Sequence, residues 1–130
     1  MSIVYGMTMS ILKLRTPCYN QDDLKKIVII ATLDTKGEES GYLKELILRR
    51  GHQPFVIEIG CGGEAKLEAD ITAEEVARAA GTEIKKLRSS QERQKVTEMM
   101  IKGAVAKLGA LCRAGEVEGM ISIGGMSNTV

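Results

Sequence analysis

The run Ile27 to Leu33, "IVIIATL", carries no charged side chain and is rich in β-branched residues. Strands that face water on one side alternate apolar and polar positions. A strand apolar throughout is covered on both faces. This stretch therefore demands a parallel sheet with helices above and below it, and the rest of the chain can be read for the parts such a sheet needs.

Those parts follow in order. Thr35-Lys36-Gly37-Glu38 has capping-box spacing, which predicts Thr35 as N-cap with Glu38 reaching back to it. Leu43, Leu46, Ile47 and Arg50 continue at helical spacing, and Gly51 is a stop signal. Pro54 opens a second segment, with a buried strand over Phe55 to Ile59 that ends in the glycine-rich turn "GCGGEAK". Thr72-Ala73-Glu74-Glu75 repeats the capping pattern and predicts a short helix to Ala80, closed by Gly81. Ser89 with Glu92 marks a third helix start. That helix runs to about Ala114, with a broad apolar face of Val96, Met99, Met100, Ala104, Val105, Leu108, Leu111 and Cys112, and Gly115 follows it. Gly103 and Gly109 inside it suggest close backbone packing. Met120 to Ile123 reads as a third buried strand.

Strands alternating with helices define an α/β fold, a Rossmann-like open parallel sheet of about three strands with right-handed crossovers. The order second, first, third would put the first and third strands beside the topological switch point, where ligands bind. Residues 1–24 read as an N-terminal appendage, in which alternation over Ser10 to Arg15 permits an extra edge strand, and residues 25–130 form the domain. A chain of 130 residues is one domain by size. So small a sheet has edges to cover, and a homo-oligomer is expected.

Composition removes several classes of function. There are 18 basic and 17 acidic residues, so the charge balance carries no nucleic-acid footprint. Aromatic residues are 3% of the chain and tryptophan is absent, which leaves no platform for stacking bases. Cys18, Cys61 and Cys112 are widely spaced and suit a reducing cytoplasm, without zinc-site spacing. No apolar run is long enough to span a membrane, and the N-terminus lacks the parts of a signal peptide.

The chemistry-bearing residues lie at the strand ends. The lysine precedes the glycine in Thr35-Lys36-Gly37, so this is not a Walker A loop. The first turn also lacks G-x-G-x-x-G, although Glu58 stands where a ribose-binding acid would. A helix start near Lys36 suits an anion: unpaired N–H groups, the Lys36 charge, and Gly37 allowing close backbone approach. The bland reading is that Thr35 and Glu38 cap a helix while Asp34 and Lys36 are solvated. Gly60 to Gly63 offers either an anion nest or a tight turn, with the turn favoured. Cys61 there reads as an exposed thiol without an activating base, and His52 as a solvated loop residue. Asp34, Glu58 and Asp70 are the acids available for a magnesium ion.

The segments "KKIVIIATLDTKGEESGYLKELI", "PFVIEIG", "EADIT" with "EEVARAAG", and "MMIKGAVAKLGALCRAGEVEGMISIGG" resemble the amino-terminal domain of the Tm-1-like ATP-binding family over about residues 25 to 125. The resemblance implies a Rossmann-like domain, ATP as ligand, with or without magnesium, and no established catalysis. In a plant member it implies inhibition of tobamovirus RNA replication. By motif match it assigns nucleotide contact to Asp34, Thr35, Lys36 and Gly37, and to Gly124, Gly125, Ser127 and Thr129 in the turn after the third strand. That turn usually reads G-G-x-G-G-T in the family. Here it is Gly124-Gly125-Met126-Ser127-Asn128-Thr129, with side chains replacing two glycines. Family members continue into a second α/β half, so the resemblance implies a truncated form. The functional expectation is a cytoplasmic nucleotide-binding module; the alternatives are a structural or oligomerisation fragment without nucleotide, and a hydrolase using Asp34 with magnesium.

Overall fold

The computed structural model describes residues 24–124. The N-terminal edge strand, Cys18, Gly125, Ser127 and Thr129 lie outside them. The elements are β1 (Lys26–Ala31), α1 (Leu33–Arg49), β2 (Gln53–Glu58), α2 (Ala73–Ala79), α3 (Ile84–Ser89), α4 (Arg93–Arg113) and β3 (Gly119–Ile123). The sheet is parallel in the order β2-β1-β3, as the alternation of elements suggested. It is an open α/β sheet of Rossmann-like form.

β1 is covered on both faces, as its sequence requires. Val28 and Ile30 face a core completed by Ile57 of β2, Val76 and Ala77 of α2, Ile84 and Leu87 of α3, and Val96, Met100 and Ala104 of α4. Ile29 and Ala31 face the other way, toward Leu33 and Ile47 of α1 and Val56 of β2. The single helix α1 thus covers one face, and the three helices between β2 and β3 cover the other.

α3 was not expected. Its six residues offer only Ile84 and Leu87 as an apolar pair one turn apart, too little periodicity to stand out in a basic stretch. The capping box at α2 is present as written: the Glu75 N–H donates to Thr72 Oγ1, and Thr72 N–H donates to the Glu75 carboxylate. Gly51, Gly81 and Gly115 take positive φ after their helices, the conformation that glycine adopts without steric cost.

The two edges of the sheet differ. Beyond β2, Asp70 and Ile71 run alongside: Val56 N–H donates to Asp70 Oδ2 at 2.8 Å, and Ile71 N–H donates to Val56 O at 3.0 Å. Beyond β3 no strand pairs among the described residues. Met120, beside Val28 in register, is 53% exposed, and Ile121, beside Ile29, is 37% exposed, so apolar side chains stand open on both faces. The expectation of a buried third strand is corrected here. An apolar sequence states that a strand favours cover; the cover itself must come from neighbours, and among the described residues β3 pairs only with β1, with Ile123 alone packed against the core on the α1 side.

Gly103 explains itself. A Cβ built there would collide with the carbonyl oxygen of Val76, so α4 crosses α2 backbone to backbone. At Gly109 a Cβ would meet only the mobile end of Arg113, at 3.3 Å. Urea denaturation should therefore show Gly103→Ala losing about 1–3 kcal/mol through overpacking. Gly109→Ala should gain up to about 1 kcal/mol from helix propensity. Equal effects at the two sites would contradict this packing.

Candidate functional site

The carboxyl ends of β1 and β2 are fastened by one side chain. Glu58, 5% exposed, accepts hydrogen bonds at Oε1 from Leu33 N–H (2.9 Å) and Gly60 N–H (2.7 Å). Leu33 is the first residue of α1, so the helix receives an acceptor from a neighbouring strand 25 residues away rather than from a local cap. This corrects the expected capping box. The N-cap is Thr32, its side chain makes no capping bond, and the break expected at Thr35 appears instead as a kink at Lys36 (φ −118°, ψ 27°) inside α1. The Glu58 acceptor, together with burial of the Leu33 side chain in the core, sets the helix start one turn earlier than the local pattern implies.

Asp34 then projects from this first turn beneath the glycine loop. Its Oδ1 accepts from Thr35 N–H at 3.0 Å. A Cβ on Gly60 would lie 2.7 Å from Asp34 Oδ1 and 2.9 Å from Glu58 Oε1, and one on Gly62 would lie 3.0 Å from Asp34 Oδ2. The glycines make room for two carboxylates. The turn reading of Gly60 to Gly63 is the one its packing supports, and one of its N–H groups is already spent on Glu58.

Together these residues form one side of a cleft of about 290 Å³. The N-cap Thr32, with Asp34 and Thr35 of α1, lines it on one part, Gly60, Cys61 and Gly62 of the loop after β2 on another, and Arg93, Thr97 and Ile101 of α4 on a third. The Thr32 and Thr35 hydroxyls are 3.1 Å apart. The cleft sits over the ends of β1 and β2 with α4 across it, not over the switch point between β1 and β3.

The remaining sequence candidates fall elsewhere. Lys36 Nζ pairs with Glu39 at 3.2 Å and does not line the cleft. Gly37 is buried, and a Cβ there would meet the Lys66 Cβ at 2.7 Å, so a loop residue covers its backbone. Gly124 directly follows β3. Cys61 is buried rather than exposed, and burial pushes its thiol above the ordinary value. His52 is half-buried, with Nδ1 accepting from Lys25 N–H at 3.2 Å. Asp70 is occupied with β2, and no group of three metal-ligating side chains occurs among the described residues. Arg93 carries no motif and was not anticipated; what makes it notable is its place on the cleft wall.

Burial pushes the Glu58 carboxyl above its ordinary value of 4.5, against the two N–H donors that favour the anion, and the nearby Asp34 charge pushes the same way. A raised folded-state value means that Glu58 contributes most to stability when protonated. The contribution is lost as pH rises from about 4.5 through the folded value. Glu58→Gln, which keeps the accepting oxygen, should lose less stability than the native protein as pH is raised from about 4.5 toward neutrality. Parallel urea-midpoint profiles for the two proteins would count against this.

An α/β sheet with a cleft at its strand ends is the class defined by this geometry. The chain matches the model of the Uncharacterised protein family (UPF0261) N-terminal domain over residues 25–130, and it belongs to that family. It is 41% identical over 105 residues to a UPF0261 protein of Clostridium tetani, covering 81% of this chain and 26% of that protein. It is 33% identical over 104 residues to a UPF0261 protein of Brucella suis, covering 80% of this chain and 25% of that protein. The chain thus spans about a quarter of the length of these relatives. No solved structure matches it. Among the described residues no helix is long and apolar enough to cross a membrane.

Proposed function

We propose that the chain is a nucleotide-binding module, without catalysis of its own, that takes the phosphate end of ATP in the cleft at the ends of β1 and β2. The observation that carries this reading is the convergence of the D-T-K-G turn, through Asp34 and Thr35, with the Gly60–Gly62 loop on one concave surface. The resemblance of that turn to the Tm-1-like ATP-binding family supports it. At about 290 Å³ the cleft is near the lower limit of small-molecule pockets, roughly 300–1,000 Å³, so it fits part of a nucleotide with the remainder over the rim.

A second reading, an interaction or self-association module, is favoured by the open apolar edge at Met120 and Ile121. Calorimetric titration with magnesium and ATP separates the two. The nucleotide reading expects one site per chain, weakened at least tenfold by Thr97→Trp, which fills the cleft from the partly exposed wall of α4. No heat of binding from folded protein, with association seen by light scattering, would establish the second reading in place of the first.

A further inference from the structure

The cleft has two electrostatic sides. Asp34 occupies one wall and the Gly60–Gly62 loop packs against it. Arg93, the first residue of α4, lines the same cleft from a different element. Arg93 is the one basic side chain among the residues that line the cleft. The Arg93 guanidinium has no ion pair and no side-chain hydrogen bond among the described residues. Its field, with that of Arg88, reaches Cys61 in the Gly60–Gly62 loop and favours the thiolate there, although burial outweighs it. Arg93 is exposed at this concave surface, beside Val96, Met100 and Ile101, so its guanidinium is open to an incoming anion.

The geometry points to Arg93, and not Lys36, as the residue that grips the anionic end of the ligand. The class of ligand is a phosphate ester, its phosphoryl group on the Arg93 side and its hydrogen-bond donors, such as ribose hydroxyls, on the Asp34 side. A guanidinium presents two parallel N–H donors to two phosphate oxygens, which an ammonium cannot do. The Asp34 carboxylate accepts hydrogen bonds and repels a second anion, so it orients the ligand as well as admitting it. This assignment rests on the nucleotide reading for the ester part, and on the cleft alone for the phosphoryl part.

The test uses two probes, ATP and inorganic pyrophosphate, titrated calorimetrically into the native chain, Arg93→Gln, Arg93→Lys and Lys95→Gln. Lys95 is exposed and paired with Glu92, so its variant removes an equal charge from the same helix outside the cleft. Circular dichroism checks that each variant is folded. Expected are losses of about 10- to 100-fold for both probes in Arg93→Gln, as for removal of a charge-assisted hydrogen bond. Arg93→Lys should be intermediate, and Lys95→Gln should change less than twofold. Native affinity for ATP in a folded Arg93→Gln would overturn the Arg93 assignment and leave the nucleotide reading standing. Pyrophosphate binding that depends on Arg93, without ATP binding, would overturn the nucleotide reading alone. Binding of neither probe by the native chain would overturn both.

Discussion

The carboxylate of Glu58 is the constraint on which the site depends. With two N–H groups on one oxygen it joins the first turn of α1 to the loop after β2, so the distance between these segments is set by hydrogen bonds rather than by loop preference. A buried carboxylate carries a desolvation cost, which the two N–H donors at Glu58 offset only in part. Removing the acceptor would leave the Leu33 and Gly60 N–H groups unsatisfied in a dry place, at about 1–3 kcal/mol each.

From that junction the rest of the cleft follows. The Glu58 bond holds the start of α1 at Leu33, which aims Asp34 under the loop, and Asp34 in turn excludes side chains from Gly60 and Gly62. The loop is thin for that reason and leaves room between itself and α4. α4 reaches the cleft because Gly103 lets it lie directly on the Val76 backbone of α2. Sheet, loop and helix thereby bring Asp34 and Arg93, 59 positions apart in sequence by their residue numbers, into one cleft.

What was legible in the sequence is what four to seven neighbouring residues decide. The apolar run at Ile27 announced a strand covered twice, and Thr72 with Glu75 formed the capping box that their spacing describes. Thr35 with Glu38 has equal spacing and forms none, because the competing acceptor comes from β2 and no local window contains it. The burial of Cys61 is hidden for the same reason: turn composition suggests solvent, whereas Ile59 and Cys61 both join the core shared with α2, α3 and α4. The apolarity of β3 was legible but its exposure was not, since exposure depends on what lies beside it. Arg93 was illegible as a site residue: it sits among many charges between Glu83 and Lys95, and only the crossing of α4 over the strand ends singles it out.

The proposed ligand site lies over the ends of β1 and β2. Its most direct test is an amide NMR titration of the chain with magnesium and ATP, following every resolved backbone peak. The account predicts saturable shifts confined mainly to Thr32–Thr35, Gly60–Gly62 and Arg93–Thr97. Shifts centred instead on β3 and Gly124, or none up to millimolar ATP from a well-dispersed spectrum, would contradict it.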